Sequence, residues 1–335
     1  MQMLSDPLRF ARLAVRAGHF RDAASALTEL PPTVRGAPEW HLLSAMTAWR
    51  LGNFEESRRH ALEARARFRA VGDADGEMRA ENVAAAGGFG LGQLHEAEEG
   101  FTRARQLARQ LGDDLLMARC SNNLGNIALY LARHEQAHGF YRLARAGFER
   151  LGFDYGVAET WINTSIAWRD VGQFEEAAAA SDQALDAAER AEAPRLIAEA
   201  LSTRGEAMAA KGDHALGRLQ VERALMLARQ EGDRLAEADA LRILATIARA
   251  TGAHEEAEGL AHRALEVATA VRHPWGIAEI QREIGEMFRA LGRHAEAVER
   301  FTAAATAFQQ LGATPRADRM RERAEATGGR ETGGG

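Results

Sequence analysis

Residues 171–177 read VGQFEEA, and a variant of this phrase returns every forty residues. LGNFEES (51–57), LGQLHEA (91–97), LARHEQA (131–137), KGDHALG (211–217), TGAHEEA (251–257) and LGRHAEA (291–297) keep the interval, and AGHFRDA begins at Ala17 after a shorter step. The second residue is glycine in every copy except at Ala132. A residue just past a helix end often takes the left-handed conformation that glycine tolerates best, so this row marks helix ends. A second row lies half a period away at Gly72, Gly112, Gly152, Gly232 and Gly312. Glu192 and Arg272 interrupt it, and Pro194 and Pro274, which follow closely, are expected to stop those helices instead. Each forty-residue unit therefore reads as two helices with a turn between them and a turn after them.

Small residues set how the helices touch. Twelve positions past the first glycine row stand Ala64, Ala104, Ala144, Ala184, Ala224, Ala264 and Ala304. Five past it stand Ala23, Ser57, Ala97, Ala137, Ala177, Gly217, Ala257 and Ala297, and seven before it Ala11, Ala45, Ala85, Gly125, Ser165, Gly205, Ala245 and Gly285. Three such rows at fixed phase let helix axes approach closely, as stacked antiparallel hairpins require. A single hairpin cannot bury its apolar face, so neighbour contacts must stabilise the array.

This pattern resembles the tetratricopeptide repeat over roughly residues 5–312. Counting the first-row glycine as position fifteen, it has a small residue at eight, Ala at twenty and twenty-seven, and an aromatic at twenty-four in Phe101, Tyr141 and Phe301. Trp161 stands at the family's early tryptophan position, and Leu124–Gly125 repeats its L-G pair. The forty-residue spacing departs from the usual thirty-four or so and is similar to that of kinesin light chains and of sensor regions in bacterial regulators. The resemblance implies an all-α, right-handed superhelical solenoid of about eight antiparallel repeats, spanning 1–326 as one domain. It also implies a concave groove, lined by the first helices, that binds peptides or protein segments. Residues 315–326, PRADRMRERAEA, are expected to form a capping helix over the last repeat, and 327–335 a flexible tail.

Composition agrees and excludes several function classes. Hydrophobic residues make up 46% of the 335, enough for a sizeable core, and the low aromatic and proline content favours helix over sheet. The 42 basic and 48 acidic residues are mixed along the chain, which argues against the concentrated cationic face that nucleic acid needs. No stretch approaches the roughly 20 apolar residues of a membrane span, and the start lacks a signal-peptide pattern, so a cytoplasmic location is expected. A single cysteine, Cys120, permits neither an internal disulfide nor a thiolate cage and reads as a small buried side chain.

Two apparent sites dissolve into the repeat. His134, His214, His254 and His294 share one slot, where the chain elsewhere uses Phe54 or Phe174; equivalent positions in stacked repeats lie on the order of 10 Å apart, so one metal cannot bridge them. GGFGLG (87–92) lacks a preceding strand and a phosphate-loop lysine, and Gly87 and Gly88 fall inside a helix, where close packing is the plainer account. Neither a catalytic constellation nor a cofactor motif is recognisable, and the chain reads as non-enzymatic.

Asparagine points elsewhere. Five of six asparagines, Asn82, Asn122, Asn123, Asn126 and Asn163, lie on the first helices of three consecutive copies, although asparagine is a mediocre helix former. They occupy positions five, six and nine, the stripe that the resemblance turns toward the groove, where similar asparagines hold peptide backbones. An amide offers both a donor and an acceptor to an extended backbone. Arg79, Arg119, Arg242 and Arg282 stand on the same stripe, which Tyr130 and Arg169 extend, and a guanidinium fork suits an acidic side chain or a terminal carboxylate. Glu159, Asp170, Glu206 and Glu286 also lie there, and either impose a charge register on a ligand or pair with the arginines. The expected binding set is Arg79, Asn82, Arg119, Asn122, Asn123, Asn126, Tyr130, Asn163, Arg169 and Arg242. Solvated surface or contacts between repeats would also accommodate these residue types. The expected function is a scaffold that binds a peptide or protein segment; the alternative is a sensor or regulatory subunit that changes shape on binding a small signal or short peptide. Self-association remains open, because an end repeat can stack on another molecule's end.

Overall fold

The computed structural model describes residues 6–271 and 273–329, which form eighteen helices and no strand. By their contacts they group into two compact units, residues 1–127 and 128–335.

The first unit contains α1 (Arg9–Arg16), α2 (Phe20–Glu29), α3 (Pro32–Arg35), α4 (Pro38–Arg50), α5 (Phe54–Ala70), α6 (Ala74–Gly90), α7 (Leu94–Leu111) and most of α8 (Asp114–Tyr130). The second takes the end of α8 and then α9 (His134–Arg150), α10 (Asp154–Asp170), α11 (Phe174–Arg190), α12 (Pro194–Ala210), α13 (His214–Gln230), α14 (Arg234–Ala250), α15 (His254–Ala270), α16 (Pro274–Ala290), α17 (His294–Gln310) and α18 (Thr314–Gly328). Within each unit, consecutive helices pack as antiparallel hairpins.

Both glycine rows take positive φ at every glycine they contain, Gly18 of the shorter copy included at 80°. More informative are the exceptions. Ala132 (φ 56°) and Glu192 (φ 48°) adopt the same left-handed turn without being glycine, which costs each about 1 kcal/mol or more. The helix before Glu192 thus ends like the others, and Pro194 does not stop it: Pro194 and Pro274 open α12 and α16, where a missing N–H costs nothing. Arg272 lies outside the described residues. After the second glycine row, aspartate often caps the next helix. Asp73, Asp113 and Asp233 accept backbone N–H bonds from Gly76, Leu116 and Ala236 at 2.9, 2.8 and 3.1 Å.

The small-residue rows are the hairpin seams. Ala23, Ala97, Ala137, Ala177, Ala257 and Ala297 are fully buried, and so are Ala64, Ala104, Ala144, Ala184, Ala264 and Ala304. The tightest seam joins α12 to α13, where a Cβ on Gly205 would stand 2.6 Å from the Gly217 carbonyl oxygen, and the reverse distance is the same. Between α10 and α11, Ser165 Oγ instead donates to the Ala177 carbonyl at 2.8 Å. Phe101, Tyr141 and Phe301 fill the core beside these seams. GGFGLG is packing of the same kind: a Cβ on Gly87 would meet the Arg58 backbone of α5 at 3.1 Å, and one on Gly90 the Phe54 ring at 2.6 Å.

Helix α18 covers the expected cap and is two residues longer at its end. Its Ala317, Met320, Ala324 and Thr327 are buried on the side that packs on α17. Thr327 and Gly328, expected in the tail, belong to this helix, and residues 330–335 lie outside the described residues.

Candidate functional site

In the second unit the first helices of successive repeats, α10, α12, α14 and α16, line up their positions two, five, six, nine, twelve and thirteen. Helical periodicity places these on one face. The result is a chain of alternating charges. Arg169 ends α10 and bonds both Asp170 (2.9 Å) and Glu206 of α12. Glu206 also accepts from Arg242 of α14 at 3.1 Å, and Arg242 reaches Asp239 at 2.8 Å. On α16, Glu279 accepts from Arg282 at 2.9 Å, while Glu283 accepts from Arg249 at 2.7 Å.

Helix α18 completes the chain. Arg316 bridges Asp170 and Glu279, with both contacts at 2.5 Å, joining residues 146 apart in sequence. Arg323 pairs with Glu286. Beside them, Tyr130 stacks on Trp275 with ring centroids 3.8 Å apart and 18° between planes. Of these groups, Arg169, Asp170, Glu206, Arg249, Glu279, Arg282, Glu283, Arg316 and Arg323 border a cavity of about 500 Å³, whose lining also includes Ile243, Ile247 and Met320.

The network sets the protonation of its members. Burial alone would raise the Glu206 carboxyl, but the Arg169 and Arg242 guanidinium groups overcome it and hold the group down to about 2. Asp170 and Glu279 are likewise lowered: burial opposes ionisation, and Arg169 and Arg316 at the first and Arg282 and Arg316 at the second outweigh it. Burial raises the Tyr130 hydroxyl to about 12. Asp170, Glu206 and Glu279 are therefore charged at neutral pH, and the arginines that hold them are tied to protein partners.

The ten residues expected from the sequence divide between the units. Arg79, Asn82, Arg119, Asn122, Asn123 and Asn126 belong to the first, and Tyr130, Asn163, Arg169 and Arg242 to the second. Tyr130 borders the charged chain, beneath Arg316, and Arg169 and Arg242 lie within it, joined through Glu206. In the first unit, Arg79 is exposed and pairs with Asp75 one turn away at 3.1 Å. Asn82 accepts the Cys120 S–H at 3.5 Å. Cys120 is buried, as expected, and burial raises its thiol to about 12. Asn122 is buried, whereas Asn123, Asn126 and Asn163 are half-buried and Arg119 is exposed.

Sequence reasoning missed Trp275, Glu279, Arg316, Arg319 and Arg323. Glu279 stands on the stripe at position two, and Arg316, Arg319 and Arg323 recur on one face of α18; both signals were present in the sequence. That α18 turns this face into the second unit was not.

The histidine slot behaves as scaffold. His134, His214, His254 and His294 each start a helix, and each has a buried Nδ1 without a hydrogen-bond partner. HEQAH (134–138) has the spacing of a zinc-protease helix, but the same orphan Nδ1 recurs at His214, His254 and His294, where no second histidine follows four residues on. Among the described residues no group of three or more His, Cys, Asp or Glu side chains is placed to hold a metal ion. Nor is any described helix long and apolar enough to cross a membrane.

Residues 80–150 match the tetratricopeptide repeat family model. No curated protein matches the sequence significantly. Among solved structures, a Rap protein complexed with competence and sporulation factor is similar with a TM-score of 0.66 at 14% identity, over 97% of each chain. NprR in complex with its cognate peptide NprX gives 0.65 at 14% identity, over 96% of this chain and 98% of that one. Aspartyl phosphate phosphatase F from Bacillus subtilis gives 0.56 at 11% identity, over 98% and 94%. At such identities the likeness is one of fold. With its matched segment, its hairpin seams and these structural neighbours, the chain carries tetratricopeptide repeats and has the fold of tetratricopeptide-repeat proteins.

Proposed function

We propose that the chain is a non-enzymatic, cytoplasmic binding protein that takes a peptide or protein segment on the inner faces of its first helices. The observation that carries this reading is the cavity of the second unit, lined both by charged groups and by Ile243, Ile247 and Met320. A peptide offers the same combination of backbone polarity, charge and apolar side chains. Two of the structural neighbours are captured with peptide or factor ligands, which favours the same ligand class here. Asn82, Asn122, Asn123, Asn126 and Asn163 are assigned to hold ligand backbone, and Arg79, Arg119, Arg169 and Arg242, with Tyr130, to receive an acidic side chain or terminal carboxylate.

The test is selection of binders from a displayed library of random short peptides, followed by the Asn122→Ala/Asn126→Ala/Asn163→Ala variant. Affinity for the selected peptides should fall while helical content stays unchanged. Undiminished affinity would remove the asparagines from the site.

A sensor reading is favoured by one further observation. Arg316 and the Tyr130–Trp275 pair join segments of the second unit that are far apart in sequence, so a ligand that takes up these groups would loosen the unit. Spin-label distances between α11 and α17 should then change on adding a selected peptide; constant distances at saturation would leave a rigid scaffold. Self-association would act through the first hairpin, where Phe10 and Leu13 are exposed, and a sedimentation coefficient independent of concentration would exclude it.

A further inference from the structure

In the first unit, His41 of α4 and His60 of α5 face each other with their Nδ1 atoms 3.0 Å apart. Two imidazole nitrogens on one zinc or copper ion, each at about 2.0–2.1 Å, stand about 2.9 Å apart at a right angle and about 3.3 Å at the tetrahedral angle. The observed separation falls between the two. We propose that His41 and His60 form an open, two-imidazole site for a divalent transition metal such as copper, nickel or zinc.

The surroundings are built for it. Trp40 places its ring edge-on to both imidazoles, with centroids 5.0 and 5.2 Å away, and is itself anchored by its Nε1–H bond to the Leu27 carbonyl at 3.0 Å. His60 is buried and His41 half-buried, so solvent reaches the pair from one side and water can fill the remaining coordination positions. Arg59 Nη2 lies 3.3 Å from His60 Nε2 and can only donate, which makes that nitrogen the acceptor and puts the His60 proton on Nδ1, shared with His41 Nδ1.

As the ion binds, this proton moves to His60 Nε2, and both Nδ1 lone pairs turn to the metal. The Glu56 carboxylate, 3.8 Å from Nε2, then accepts the new N–H as exposed Arg59 swings away, completing a carboxylate–histidine–metal arrangement. No net proton is released. Two nitrogen ligands without thiolate favour copper(II) over nickel and zinc.

Titration of the untagged full chain with Cu²⁺, Ni²⁺ and Zn²⁺, by calorimetry and tryptophan fluorescence, tests the site. One equivalent of copper should bind and quench emission, and Trp40→Phe should remove most of the quenching. His41→Ala and His60→Asn should each abolish binding, and Glu56→Gln should weaken it about tenfold. His134→Ala/His138→Ala should leave it intact. Binding that survives His41→Ala, binding lost only in the His134/His138 variant, or no binding by the wild type overturns the assignment. Circular dichroism checks each fold; should His60→Asn unfold, the half-exposed His41 position decides.

Discussion

Glu81 and Glu206 are both acids on a first helix, and each holds two arginines, yet they have opposite surroundings. In the first unit, Glu81 of α6 is buried and ties Arg65 of α5 and Arg103 of α7, both contacts at 2.9 Å. Those partners are second helices, and their guanidinium groups stay partly exposed, at 27% and 47%. In the second unit, Glu206 links first helix to first helix, and its partner Arg242 is only 7% exposed. One acid staples the scaffold; the other belongs to the lining of a cavity. The same repeat thus supports two uses of charge, distinguished by which neighbouring helix supplies the arginine.

The sharpest way to break this comparison is to neutralise each acid. Glu206→Gln takes one of two carboxylates from buried Arg242, leaving it half-exposed Asp239, and removes the acid that Arg169 holds, and should cost about 3–5 kcal/mol. Glu81→Gln should cost only about 1 kcal/mol, because Arg65 and Arg103 can turn to water. Denaturant unfolding of both variants measures the difference, and equal losses would mean that partner exposure does not decide it.

Acid should act next in size. Glu206 has an ordinary value of 4.5 and is held down to about 2 in the fold. Its contribution is complete above pH 4.5 and disappears as pH falls toward 2, amounting to on the order of 3 kcal/mol. Hydrogen exchange should therefore show α10, α12 and α14 loosening across that window, and Glu206→Gln should flatten the pH dependence there.

Glycine substitutions refine the contrast. Gly205→Ala drives a methyl group into the Gly217 carbonyl and should cost about 1–3 kcal/mol. Gly88→Ala in α6 meets nothing nearer than 3.7 Å and should instead stabilise by about 0.5–1 kcal/mol, measured by thermal unfolding. A gain of similar size is expected elsewhere: Ala132→Gly relieves a left-handed alanine and should stabilise the second unit by about 1 kcal/mol.

Much of this architecture was legible because a period of forty residues leaves few alternatives. The glycines that end helices and the alanines that form seams act locally or between adjacent helices, so their spacing reveals them. In the second unit the stripe proposed to bind was legible as a face, through Asn163, Arg169 and Arg242. Its electrostatic state was not: Arg169 and Arg242 stand 73 residues apart and meet only through Glu206. Pro194 misled because a proline two residues past a turn can end one helix or begin the next, and Glu192 had already made the left-handed turn.

By itself, then, the sequence determined the helices, their ends, their pairing and the face each first helix presents, because all of these depend on short-range geometry repeated in register. Tertiary structure alone decided that Arg316 would join Asp170 to Glu279 and that Trp275 would lie on Tyr130. It likewise decided that His41 would meet His60 across two helices. Such contacts depend on how many small rotations between helices accumulate, and no single repeat records that sum.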